Sequence, residues 1–301
     1  MRILARTSLA LILAGAPLLA LPPSATAEVT DCTYSKSKKL VTLTINNSDT
    51  TGWLMIERSL GTKKIGYRAS GENWKGCEGA TTDTTNKVKV VGSTLSEDIY
   101  LNLENGGFTP GATSESNGAS EIEFDLDLGA GTDRVTLLGG RGSDRLGFVK
   151  AGQGTLNGDE DVDVTMTGVD VWRLDGGPGN DVLDGRGAPK VEVLGREGSD
   201  RLFGGPGRDS LYGDAGDEPS GDGSDLLNGG GGDDYLYGYR GSDTLIGGDG
   251  DDHLTGADNN DDVKGGAGND DLVVEDSRDG ADEFDGGSGA DSLSYDDRSG
   301  D

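Results

Sequence analysis

Beyond residue 139 the chain repeats itself every nine residues, and no other feature restricts its fold so strongly. The ruler reads GGRGSDRLG at 139–147, GGPGNDVLD at 176–184, GREGSDRLF at 195–203 and GGPGRDSLY at 204–212. After an insertion at 213–219 it resumes with SGDGSDLLN, GGGGDDYLY, GYRGSDTLI, GGDGDDHLT, GADNNDDVK and GGAGNDDLV, six copies without a gap over 220–273. Three further residues precede SRDGADEFD at 277–285 and GGSGADSLS at 286–294. A fixed short period over this length specifies a solenoid, in which each unit buries its apolar face only against its neighbours.

Each place in the unit has a physical reason. Gly at the first, second and fourth places admits positive φ and lets successive turns approach without a Cβ between them. The apolar eighth residue, flanked by two outward ones, makes a minimal strand. It predicts an inward column of Leu202, Leu211, Leu227, Leu236, Leu245, Leu254, Val263, Leu272, Phe284 and Leu293. One buried side chain per nine residues is a thin core, because ordering the backbone alone costs about 1–2 kcal/mol per residue. The turns must therefore contribute binding free energy. Asp at the sixth place supplies a hard oxygen there, and stacked carboxylates repel one another unless a cation lies between them. Oxygen donors without a nearby Cys or His pair favour Ca2+ over zinc or copper, and over Mg2+, which demands a tighter octahedron.

The remaining sequence agrees with a cation-binding, exported protein. The chain carries 55 acidic and 26 basic residues, net −29, which argues against nucleic acid or an anionic membrane as partner. Arg2 and Arg6, the apolar run 9–21 and the small residues Ala25, Thr26 and Ala27 read as a cleaved secretory signal over 1–27, with the mature chain starting at Glu28. The run is too short to span a bilayer, and no membrane insertion is expected. In an exported chain, Cys32 and Cys77 read as a disulfide that closes a long loop and contributes about 4 kcal/mol in the chain-entropy description. Residues 28–138 form a β-rich amino-terminal region: alternating or β-branched runs at 41–45, 53–56, 87–91, 99–103, 122–128 and 135–138 are strands, and Gly- and Asn-rich 105–120 is a loop. Segments 167–175 and 186–194 keep the apolar spacing of a coil without the Gly pair or the sixth-place acid, so they read as degenerate coils.

The pattern GGxGxDxUx resembles the repeats-in-toxin (RTX) family, also called haemolysin-type calcium-binding repeats. The resemblance covers about 139–294 and is densest at 195–294. It implies an all-β fold, a parallel β-roll or β-solenoid of two nonads per coil, and the repeat segment is then 139–301. It also implies that turns two repeats apart stack and hold several Ca2+ through Asp carboxylates and backbone carbonyls. Carried onto this chain, one side stacks Asp225, Asp243 and Asp261 and the other Asp234, Asp252 and Asp270. Asp144, Asp181, Asp200, Asp209, Asp282 and Asp291 occupy the same place in less regular surroundings. The chain departs from the pattern at Arg196 and Tyr239, which stand at the second Gly, and at Asn259, which stands at the fourth.

Catalysis finds little support. A single histidine, His253 at an outward seventh place, excludes HExxH metalloproteases, and no GxSxG nucleophile turn occurs. Gly152–Gln153–Gly154 lacks the following helix and lysine of a phosphate loop. Glu121, Glu123, Asp125 and Asp127 alternate along one strand and read as a solvated face opposite Ile122, Phe124, Leu126 and Leu128. The expectation is a secreted, non-enzymatic Ca2+-binding protein with a structural, cell-surface or matrix role. The alternative is a calcium-dependent folding module of a secreted hydrolase whose catalytic part lies in 28–138 or outside this sequence.

Overall fold

The computed structural model describes residues 29–45, 52–59, 63–69, 73–104, 122–157, 162–214, 223–275 and 280–296. The segments read as a signal sequence at 1–27 and as a loop at 105–120, and most of the insertion at 213–219, lie outside these residues. The described residues form 25 strands and no helix, arranged in one sheet of thirteen strands and one of twelve. Pairing is parallel through most of both sheets. Leu40–Ile45, Lys87–Val91 and Glu123–Asp127 lie side by side in the first sheet, and Gly52–Arg58, Glu97–Asn102 and Arg134–Leu138 in the second. Arg134–Leu138 then pairs with Val171–Asp175, so the second sheet continues across residue 139. A β-roll or β-solenoid is therefore the fold.

The amino-terminal end is built differently. Val29–Ser35 pairs antiparallel with Leu40–Ile45 at the edge of the first sheet. Lys64–Ala69 and Lys75–Thr81 add two antiparallel strands to the second. Cys32 and Cys77, on the outermost of these strands, are disulfide-bonded with their Cα atoms 5.6 Å apart. The bond thus joins the edges of the two sheets, where unpaired backbone would otherwise be presented. A second departure from parallel pairing explains the extra strand of the first sheet: Arg145–Lys150, Gln153–Thr155 and Val164–Thr167 form an antiparallel excursion inserted between coils.

The core changes character along the axis. The parallel coil strands ahead of the repeats bury two or more apolar residues, such as Ile99 with Leu101, Val135 with Leu137, Phe124 with Leu126 and Trp172 with Leu174. In the repeats only the eighth-place residue remains, and Leu202, Leu211, Leu227, Leu236, Leu245, Leu254, Val263 and Leu272 are all buried. The missing column is replaced in register. Ile99, Val135, Trp172 and Val191 pair in succession, and the backbone N–H of Val191 then meets the carboxylate of Asp209, which begins the acidic row. The expected apolar column is not buried to its end: Phe284 is half-buried and Leu293 is 48% exposed, because among the described residues its coil is covered on one side only. Phe124 and Leu126 face inward and Glu123 and Asp127 outward, as alternation requires.

The outward face of the second sheet carries aromatic residues in neighbouring coils. Tyr212 and Tyr237 stack at 5.6 Å. His253 is half-buried rather than fully outward, beside Tyr235 at 5.7 Å between ring centroids, with Nδ1 3.2 Å from Asp271 Oδ2.

This burial pattern predicts unequal costs for the same truncation. Leu245→Ala, at a fully buried rung, is expected to lower stability by about 2–5 kcal/mol, and Leu293→Ala by less than about 1 kcal/mol. Urea unfolding in the presence of Ca2+, with equal losses for the two variants as the contrary result, measures the difference.

Candidate metal centre

The sixth-place aspartates form two continuous ladders, one on each side of the roll. On the side entering the first sheet, the backbone N–H groups of Asp144, Asp181, Asp200, Asp225, Asp243 and Asp261 each donate to Oδ1 of the aspartate in the next coil. The partners are Asp181, Asp200, Asp225, Asp243, Asp261 and Asp282 at 2.7–2.8 Å. On the other side Asp209, Asp234, Asp252 and Asp270 donate in the same way to Asp234, Asp252, Asp270 and Asp291 at 2.8–3.2 Å. All twelve aspartates expected from the repeat pattern are therefore drawn into two rows, including the six in irregular surroundings.

Beyond the first aspartate of each row, one oxygen of each carboxylate is occupied in this way; the other decides what the turn can bind. Oδ2 of Asp181, Asp200, Asp225, Asp234, Asp243, Asp252, Asp261 and Asp270 is buried without a hydrogen-bond partner. An unpaired buried carboxylate oxygen is costly, since it has lost water and gained nothing. Burial, opposed by the backbone hydrogen bond and reinforced by neighbouring aspartates, pushes Asp200, Asp234 and Asp243 up to about 8. It raises Asp181, Asp225, Asp252 and Asp261 to about 6, with burial again the largest cause. Asp144 and Asp209 differ, because their Oδ2 atoms accept N–H groups from Gly140 and Gly205. Asp291 lies exposed and Asp282 partly so, in the last described coil.

The first glycine of each repeat shows where the orphaned oxygens point. A Cβ on Gly238 would lie 2.4 Å from Asp243 Oδ2 and 2.7 Å from the carbonyl oxygen of Gly256. One on Gly247 would lie 2.3 Å from Asp252 Oδ2 and 2.5 Å from the carbonyl oxygen of Gly265. A carboxylate and a carbonyl thus converge on space that only glycine leaves open. Among the described residues no three carboxylate, imidazole or thiolate groups converge, so the donor set is one of single carboxylates supplemented by backbone oxygens. Hard, anionic, oxygen-only donors of this kind suit Ca2+.

The match to known families agrees with this geometry. The RTX calcium-binding nonapeptide repeat, in four copies, matches residues 173–188, 194–218, 220–245, 237–272 and 276–296. Residues 173–296 carry RTX calcium-binding repeats. Among curated proteins none matches the chain. The RTX match carries calcium binding and no catalytic family with it.

Where the chain departs from the repeat pattern, the backbone does not follow. Arg196, Tyr239 and Asn259 adopt φ of 85°, 75° and 89°, and Ala257, a further second-place substitution, adopts 77°. The strain of a side chain in this region is accepted and the turn retained. Arg196 directs its guanidinium away to Asp175, with Nε and Nη2 at 3.0 and 2.7 Å from the carboxylate oxygens.

Glycine substitution tests whether the space matters. Gly238→Ala and Gly247→Ala are expected to weaken Ca2+ binding at least tenfold, since the methyl would sit on both donors. Gly142→Ala, where an added Cβ meets nothing within 4 Å, leaves binding unchanged. Calorimetric titration of the three variants reads the contrast, and equal affinities would contradict it.

Proposed function

We propose that the chain is a secreted Ca2+-binding β-roll whose repeats fold when the ion binds, with a structural role at a cell surface or in a matrix. The observation that carries this reading is the row of buried, unpaired Oδ2 atoms aimed beside backbone carbonyls. Asp144, Asp181, Asp200, Asp209, Asp225, Asp234, Asp243, Asp252, Asp261, Asp270, Asp282 and Asp291 are the proposed ligands. Those with orphaned oxygens form the principal sites. Bound Ca2+ supplies the positive charge that offsets both the burial of each carboxylate and the repulsion between successive rungs. The repeats have one apolar column where the preceding coils have two, so they depend on that charge and the amino-terminal coils do not.

Export is supported by the disulfide, which belongs to an oxidising compartment, and by the signal-like 1–27. No described helix is long and apolar enough to cross a membrane. Extracellular Ca2+ would suffice for modules that bind at about 10⁻⁴–10⁻³ M. The hydrolase alternative draws no specific support from the described residues of 28–138, where the carboxylates at 123, 125 and 127 lie along one side of a strand opposite a buried apolar side.

Hydrogen exchange in chelator and then in Ca2+ tests the division of labour. In chelator the strands up to 155 are expected to remain protected while those from 226 to 275 exchange freely; Ca2+ restores protection there. Full protection of the repeats in chelator would refute ion-dependent folding. Replacing the ligand while keeping its shape is the complementary experiment: Asp243→Asn retains an Oδ1 acceptor for Asp225 N–H and is expected to lose bound Ca2+ by calorimetry.

A further inference from the structure

The outer face of the first sheet holds a stretch almost free of acid, in a chain whose net charge is −29. Its seventh and ninth places carry Arg145 and Gly147, Val182 and Asp184, Arg201 and Phe203, Leu226 and Asn228, and Thr244 and Ile246, in coils joined by parallel pairing. Asp184 is the one acid at these places, and Arg186 holds it with Nε 2.8 Å from Oδ1. The same guanidinium lies 5.3 Å over the Phe203 ring. The following coils restore the acidic exterior with Asp262, Glu283 and Asp285.

Two features of this face lack a partner. Arg68, Arg134, Arg141, Arg173 and Arg196 each meet a carboxylate, whereas Arg145 and Arg201, both exposed, form no ion pair among the described residues. They lie in one row on either side of Val182. Strands are about 4.8 Å apart, so the two arginines stand about 9.5 Å from each other. The second feature is a hollow of about 480 Å³ lined by Arg145, Gly147, Val149, Val182, Asp184 and Arg186. Gly147 opens it, having no side chain at the ninth place where later coils carry Phe203 or Ile246. Val149 on its rim is 54% exposed. Arginine among aliphatic and aromatic side chains, with acids depleted, is the composition of a protein-binding surface.

We propose that this face docks an extended acidic peptide segment of a partner protein, with carboxylates three residues apart on Arg145 and Arg201 and an apolar side chain in the hollow beside them. A polyproline-type chain has three residues per turn and rises about 3.1 Å per residue, so its like-facing side chains recur every 9.3 Å or about the spacing of the two arginines. Guanidinium takes carboxylate in a bidentate fork, which fixes the register of such a segment. At physiological salt, charges more than about 8 Å away are largely screened, so the acids of distant coils do not repel it. A polyanion without apolar groups would leave the hollow unfilled, and an uncharged segment would leave the arginines unpaired. The contact uses none of the aspartates assigned to Ca2+, so it stands or falls apart from that reading.

The test uses the full chain in Ca2+ at physiological salt and a fluorescein-labelled dodecapeptide that repeats Pro-Glu-Leu, read by anisotropy. Saturable binding is expected. Arg145→Gln and Arg201→Gln are each expected to weaken it at least tenfold and Val149→Ser at least threefold, while circular dichroism and calorimetric Ca2+ binding stay as in the wild type. Arg240→Gln, on the opposite sheet, leaves docking unchanged. Peptides repeating Pro-Gln-Leu, Pro-Glu-Ser or Pro-Pro-Glu-Leu, which remove the charge, the apolar group or the spacing, are expected to bind at least tenfold more weakly. Affinity that ignores both arginine variants overturns the site, as does equal affinity for the uncharged peptide. Binding to phosphatidylglycerol vesicles without binding of the peptide, or no binding at all, overturns it too, and either outcome leaves the Ca2+ sites standing.

Discussion

The structure depends on a carboxylate with two separate tasks. In Asp181, Asp200, Asp225, Asp234, Asp243, Asp252, Asp261 and Asp270 one oxygen accepts the backbone N–H of the coil before it, and the other is left buried without a partner. The first task is a geometric one, since it fixes the spacing and register of neighbouring turns. The second creates an electrostatic debt that hydrogen bonding within the protein does not settle. Burial of the anion and proximity of its neighbours in the row both favour the neutral form of the group. A cation satisfies the same oxygens without neutralising them by protonation, which is why the proposed function ties the ion to the fold in the repeats.

The exchange of an apolar column for an acidic one at Val191 and Asp209 places two stabilising strategies on one continuous pair of sheets. Upstream, alternating Val, Ile, Leu, Phe and Trp residues hold the coils together, and the Cys32–Cys77 bond ties the sheets at their antiparallel ends. Downstream, coils with a single leucine retain the same strand direction and register. The outward faces contribute smaller terms, such as the Tyr212–Tyr237 stack and the His253–Asp271 contact.

Much of this was legible in the sequence because a nine-residue period with a fixed acid leaves few ways to stack. The inward leucines follow from spacing, and the two rows of aspartates with their pairing at every second repeat follow from the resemblance to the RTX family. The hydrogen bond from each Asp N–H to the next Oδ1 does not, since a residue pattern says nothing of which oxygen faces which coil. Arg196, Tyr239 and Asn259 read as departures, yet stacking on both sides holds them in the turn conformation. The strands Val29–Ser35, Lys64–Ala69 and Lys75–Thr81 escaped notice because polar residues and glycines interrupt their alternation. Their pairing is antiparallel, each with a strand adjacent in sequence, unlike the parallel coils.

In the regular part of the roll every rung contact spans eighteen residues, from Asp225 to Asp243 and from Asp234 to Asp252 alike. Removing eighteen residues there would let the chain close up with each strand still in its own sheet and each carboxylate under an equivalent amide. Removing nine would transfer every later strand to the opposite sheet and exchange the Tyr-bearing exterior for the other. The molecule is thus a ruler graduated in pairs of repeats, whose length can be edited by whole coils without redesigning any joint.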